Sequence, residues 1–243
     1  MSDNVKVNEP IESCADDTTQ LNDRRSFLKL GGTGLAALAL GYAATATEAK
    51  ANYSPAVVQQ TTINLGTGDI GIGNYAYLLE QLEADFYTRV VANNFFPGAT
   101  QEERQILTDL RDHEIIHREF FRAFLGTNRI PDLTFNFSLV NFNSRDSVLT
   151  ISQILEDTGV SAYNGAAQAI QSTAILEIAG KIVSVEARHA AAIRDLRIPR
   201  NGFFGPHAED VINDPLTVLN LAAPFIPPTV TINASGLPRF IVV

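Results

Sequence analysis

The sequence predicts an all-α domain, a four-helix bundle with one long crossover and an extended C-terminal tail. Three observations carry this: apolar stripes at three- and four-residue spacing recur between residues 73 and 200, one connection is far longer than the other two, and the two halves repeat each other.

The first helix is expected from about Asn74 to Ala92, closed by Asn93-Asn94 and Pro97, with Ala76, Glu80, Glu83, Tyr87 and Val90 on one stripe. The second has the clearest ends. Thr100 to Glu103 reads as a capping box, Leu107, Leu110, Glu114, His117, Phe121 and Phe124 share a face, and Gly126 is a stop. The third starts near Ser147 and aligns Leu149, Ser152, Glu156, Gly159, Tyr163 and Ala166, with Gly165 as its weakening end. The fourth runs from about Ser172 to Leu196, before Pro199, and turns Ile178, Ile182, Glu186, His189 and Ile193 inward.

Residues 127–146 form the crossing segment, with Phe135, Phe137 and Phe142 among asparagines, and residues 201–243 form a Pro-rich extension. Their apolar residues are expected to cover the bundle or make a subunit contact, with Phe240 to Val243 as a candidate short strand. Residues 52–72 are expected to be an N-terminal linker to a bundle over 73–200.

The internal repeat is specific. Leu79-Glu80 followed by Tyr87 is matched by Leu155-Glu156 followed by Tyr163, and Glu114-x-x-His117 by Glu186-x-x-His189. The offsets between halves, 76 and 72 residues, are close enough for two copies of one helical hairpin.

Residues 1–51 stand apart from this pattern. Arg24-Arg25-Ser26-Phe27-Leu28-Lys29 precedes an uncharged run of 15 residues from Leu30 to Ala44, and Ala49-Lys50-Ala51 is a small-x-small cleavage sequence. The run is shorter than the roughly 20 residues of a membrane span. Arg24 and Arg25 resemble the paired arginines of a twin-arginine export signal, so the expected partner is that export machinery. The mature chain would begin near Asn52 and reside in the periplasm or outside a bacterial cell. It would carry 13 basic and 20 acidic side chains, a balance that speaks against nucleic acid as a partner. Cys14 is the single cysteine and lies in the leader, so the mature protein has no thiolate with which to hold a metal.

Each half thus supplies one lone Glu and one Glu-x-x-His, the pattern used by two-metal carboxylate bundles. Positions i and i+3 share a helix face, so each glutamate can bridge two ions while its histidine binds one. Four carboxylates cannot all be ionised and unpaired in a core, because each unpaired buried charge costs several kcal/mol against a domain stability of about 5 to 15 kcal/mol. Two divalent ions would balance them: iron first, with manganese and zinc as alternatives for an oxygen and imidazole donor set.

Glu80 is preferred over Glu83 as the equivalent of Glu156 because of its offset to Tyr87, which leaves Glu83 as an extra ligand, a carboxylate behind the ligands, or a surface residue. Tyr87 and Tyr163 are packing residues first and candidates to hydrogen-bond the ligands second. His113 points about 100° away from Glu114, placing it at the surface or one shell outward. His207 lies beyond the bundle, and Lys181 and Arg188 flank the fourth-helix motif.

Leu79-Glu80-Gln81-Leu82-Glu83-Ala84-Asp85-Phe86-Tyr87, Glu156 with Ser161 to Ala167, and Val185-Glu186-Ala187-Arg188-His189-Ala190 resemble the ferritin-like domain family that includes desiccation-related proteins. The resemblance spans about residues 70–200. It implies a ferritin-like bundle and ligand roles for Glu80, Glu114, His117, Glu156, Glu186 and His189, but no particular reaction. Two classes of function follow as expectations. One is a di-iron protein that oxidises iron or removes O2 or peroxide; the other is a non-catalytic stress protein that uses metal only for stability, or whose site is vestigial. Iron storage would need a homo-oligomeric cage, which the long tail and crossover can either build or block.

Overall fold

The computed structural model describes residues 59–200 and 204–239. The leader with Arg24 and Arg25, and the candidate strand Phe240 to Val243, lie outside the described residues. In chain order the elements are strand β1 (Thr61–Asn64), helices α1 (Gly68–Ala92), α2 (Gln101–Leu125), α3 (Arg145–Ala167) and α4 (Thr173–Arg197), a short helix α5 (Pro215–Ala222) and strand β2 (Val230–Asn233). The pairs α1–α2 and α3–α4 pack most extensively, as two helical hairpins joined by the long crossover. None of the described helices is long and apolar enough to cross a membrane.

Local chemistry sets the ends of the helices. The Thr100 hydroxyl accepts from the Glu103 N–H while the Glu103 carboxylate accepts from the Thr100 N–H, completing the capping box of α2. Gly126 follows with φ of +52°, in the region that favours glycine. Ser144 and Ser172 cap α3 and α4 by accepting from the N–H groups of Ser147 and Ile175.

Helix α1 starts at Gly68, earlier than its periodicity indicates. Gly68, Gly71 and Gly73 are weak helix formers, and contacts explain two of them. A Cβ on Gly71 would stand 2.8 Å from the Gly66 carbonyl, and one on Gly73 would stand 3.0 Å from Leu125 and Phe124. The segment 52–72 is therefore not linker throughout. It contains β1, which pairs in parallel with β2 in the register Thr61 to Val230 through Asn64 to Asn233. Among the described residues, the tail adds a strand at Val230–Asn233.

The crossover and tail wrap α1, which is buried on nearly all sides. Besides its expected stripe it buries Tyr75, Tyr77, Leu78, Leu82 and Phe86. Phe86 meets Phe137 and Phe142 with ring centroids 5.9 Å apart in each case, and Phe137 meets Phe225 of the tail at 5.8 Å. This cover keeps water from the outer side of the helix that carries Glu80 and Glu83.

Two stripe residues differ from expectation. Phe124 is exposed and Ile178 only partly buried; both line an apolar cleft that reaches Tyr163, and Leu125 takes the core position at the end of α2. Helix α3 does not stop at Gly165 but continues to Ala167. The tail backbone crosses there instead: the Asn213 N–H donates to the Ser161 carbonyl at 3.1 Å, and a Cβ on Gly165 would stand 2.0 Å from the Asn213 oxygen. Gly165→Ala is expected to lose about 1–3 kcal/mol through this overlap, although alanine is the better helix former. Chemical denaturation measures it; an unchanged or higher midpoint would contradict the packing.

Candidate metal centre

Four helices each place one or two acidic or imidazole side chains at the bundle centre. Glu80 comes from α1, Glu114 and His117 from α2, Glu156 from α3, and Glu186 and His189 from α4. All four carboxylates are 0% exposed, and His117 and His189 are 8% and 3% exposed. The i, i+3 spacing turns each Glu-x-x-His pair toward the same axis.

Their donor atoms fall into two overlapping groups. Glu80, Glu114, His117 and Glu186 form one, and Glu114, Glu156, Glu186 and His189 the other, with the atoms of each group within 4.8 Å of one another. Glu114 and Glu186 belong to both. His117 Nδ1 lies 3.5 Å from Glu114 Oε2 and 3.0 Å from Glu186 Oε1, whereas His189 Nδ1 lies 2.9 Å from Glu114 Oε1 and 3.7 Å from Glu186 Oε2. Each shared carboxylate therefore turns one oxygen to each histidine. Glu80 Oε2 and Glu156 Oε2 complete the two groups, 3.4 Å from His117 and 3.3 Å from His189.

The other oxygens of Glu80 and Glu156 have partners. The Tyr87 hydroxyl donates to Glu156 Oε1 at 2.5 Å, and the Tyr163 hydroxyl donates to Glu80 Oε1. Each half's tyrosine thus holds the other half's glutamate, so the repeated spacing of seven residues is a crossed pair of hydrogen bonds as well as packing. Burial raises both phenol pKa values well above normal, and the facing carboxylates raise them further, so both stay protonated donors.

What remains is a set of eight buried atoms without a hydrogen-bond partner: both oxygens of Glu114 and Glu186, one each of Glu80 and Glu156, and Nδ1 of each histidine. Buried polar atoms are normally satisfied, and a cluster of orphans that all face one another fits cations. The residues thus fit a metal-binding centre by charge, donor chemistry and geometry. Lys181 does not offset the charge, being paired with Glu177 at the surface, and Arg188 is exposed.

Glu83 is not in either group, and it is not at the surface. Its carboxyl is 3% exposed and sits against Gly159, whose added Cβ would stand 3.3 Å from Glu83 Oε1 and 3.6 Å from Glu186 Oε2. Gly159 follows Glu156 as Glu83 follows Glu80, so glycine on one half leaves room for the extra carboxyl of the other. Burial, then the charges of Glu114, Glu186, Glu156 and Glu80, hold the Glu83 pKa well above the usual range.

Sequence reasoning missed one contact. His113 reaches α4, where its Nδ1 lies 2.8 Å from His189 Nε2. Its position beside Glu114 shows only that it faces another way; which neighbour it meets depends on helix packing.

Protons balance the charge when cations do not. Burial opposes charge on His189, but Glu156, with contacts to Glu114 and Glu186, pushes its pKa up to about 12. His117 is also raised, against burial, by Glu114, Glu186 and Glu80. Burial would raise Glu186, yet the two histidines bring it down to about 2; Glu156 rises to about 7, chiefly through burial. Metal and protons compete for the same Nδ1 atoms, so affinity is expected to increase with pH, with at least one proton released per histidine. Titrations in buffers of different ionisation enthalpy measure this, and an affinity unchanged from about pH 6 to about pH 8 would contradict it.

No curated protein matches the chain. The family model described as a ferritin-like domain matches residues 68–198, more than half of the chain, from the first residue of α1 to just beyond α4. That span holds all six donor residues, the crossed tyrosines and the crossover between hairpins, and by fold, repeat and sequence match the chain belongs to the ferritin-like domain family.

Proposed function

We propose that this protein holds two divalent ions, iron in preference to manganese or zinc, and uses them to oxidise iron or to remove O2 or peroxide. The observation that carries this reading is the set of eight orphaned atoms, in which two carboxylates are shared between two histidines. Glu80, His117, Glu114 and Glu186 would hold one ion, and Glu156, His189, Glu114 and Glu186 the other. Four carboxylates match the charge of two divalent cations, and the absence of cysteine after Cys14 leaves oxygen and nitrogen donors only.

Ferrous ions held there would supply one electron each, together enough to take one hydrogen peroxide and two protons to two waters. The protein orients and shields. Tyr87 and Tyr163 fix the terminal carboxylates, the two Nδ1 atoms set the donor direction, and the wrapped α1 keeps water from one side. We include export in the proposal, because Arg24-Arg25 and the following apolar run suit delivery of a folded, loaded protein to the periplasm or beyond.

The test is stopped-flow oxidation of the ferrous-loaded mature chain by O2 and by peroxide. Saturable kinetics are expected, with His117→Ala or His189→Ala slowing oxidation by at least about 10–100-fold while the fold persists. Oxidation no faster than that of free iron, together with equal thermal stabilisation by zinc, manganese and iron, would replace the oxidoreductase reading with a metal-stabilised stress protein.

A further inference from the structure

The two donor groups are not equivalent, and His113 makes the difference. Its ring lies at 11° to that of His189 with centroids 5.1 Å apart. This separation is what the 2.8 Å between His113 Nδ1 and His189 Nε2 gives when the centre-to-nitrogen radii of both rings are added along one line. The imidazoles therefore meet end to end in nearly one plane, the geometry of a directed N–H···N hydrogen bond.

The chemistry of His189 fixes the direction of that bond. Its Nδ1 faces Glu114, Glu156 and Glu186. With an ion on Nδ1, the ring's hydrogen is on Nε2. His189 Nε2–H is thus the donor and His113 Nδ1 the acceptor, which leaves the His113 hydrogen on Nε2. Rotation of His189 about its Cβ–Cγ bond would break the hydrogen bond and move Nδ1 away from the carboxylates together.

The other half has no counterpart. His113 precedes Glu114 as Val185 precedes Glu186, and valine offers no acceptor to the His117 ring. The internal repeat therefore gives two ligand sets of the same composition, of which His113 supports one.

We propose that His113 is a positioning residue that aims His189 Nδ1 into the centre, so that the ion held by His189 binds more tightly than the ion held by His117. The inference rests on the two-ion reading above, but it concerns a hydrogen bond present with or without metal. Two measurements separate the failures. In metal-free protein labelled with 15N, a hydrogen-bonded, slowly exchanging imidazole proton is expected between His189 Nε2 and His113 Nδ1. It should disappear in His113→Leu and survive in His113→Asn, whose Oδ1 stands where Nδ1 stood. In anaerobic cobalt(II) titrations followed by absorption, the wild type is expected to fill in two unequal steps. His113→Leu should weaken the tighter step about 10–100-fold and leave the other, and His113→Asn should restore most of the loss.

The absence of this imidazole proton in the wild type would overturn the inference while leaving the ions possible. So would a His113→Leu isotherm like that of the wild type, equal weakening of both steps, or a His113→Asn variant as weak as His113→Leu. A wild type that binds no cobalt would overturn the two-ion reading and this inference with it.

Discussion

Glu114→Ala or Glu186→Ala is expected to remove both ions from the protein, whereas Glu80→Ala or Glu156→Ala is expected to cost one. The asymmetry follows from oxygen placement. Glu114 and Glu186 each turn one oxygen to His117 and the other to His189, while Glu80 and Glu156 each spend one oxygen on a tyrosine. Removing a shared carboxylate takes a donor and a negative charge from both groups at once. The affinity loss should exceed the roughly 10–100-fold that loss of an outer partner causes. Elemental analysis after anaerobic loading and gel filtration gives the stoichiometry, and a shared-carboxylate variant that still carries two ions would refute this arrangement.

Filling the centre should also produce a large rise in thermal stability. At free ion 1,000 times above its dissociation constant, one bound ion adds about 4.1 kcal/mol, a large fraction of the 5–15 kcal/mol that holds a typical domain. At roughly 2–4 °C per kcal/mol for a chain of this size, one or two ions correspond to a shift on the order of 10–30 °C. Part of this reflects the metal-free state, in which Glu114, Glu83 and Glu156 are all pushed toward protonation by burial and by neighbouring carboxylates, Glu186 among them in each case. Calorimetry with chelator and with added ion measures the shift. Glu114→Ala should abolish it, and a wild-type Tm insensitive to metal would contradict the account.

The four helices and their inward faces were legible in the sequence because apolar spacing and capping are local properties. Thr100 and Glu103 define a helix start with no knowledge of the rest of the fold, and Glu-x-x-His on an apolar stripe must face the core. The repeat conveyed more, since two copies of one hairpin imply a two-fold arrangement of donors. What could not be read locally was settled by close approach between distant segments. Gly71, Gly159 and Gly165 look like helix weaknesses in one dimension, but each makes room for a partner: Gly66, the Glu83 carboxyl and Asn213. The pairing of β1 with β2 joins residues 61–64 to residues 230–233, and four-residue strands carry little signal. His113 belongs to the same class, because its role depends on which helix stands opposite.

The most direct test of the account is anomalous diffraction from crystals loaded with manganese or iron, recorded on both sides of the metal absorption edge. Two peaks are expected between α2 and α4, one beside His117 Nδ1 and one beside His189 Nδ1, with Glu114 and Glu186 contacting both. Anomalous peaks confined to surface carboxylates, with the eight core atoms left uncoordinated under saturating metal, would contradict it.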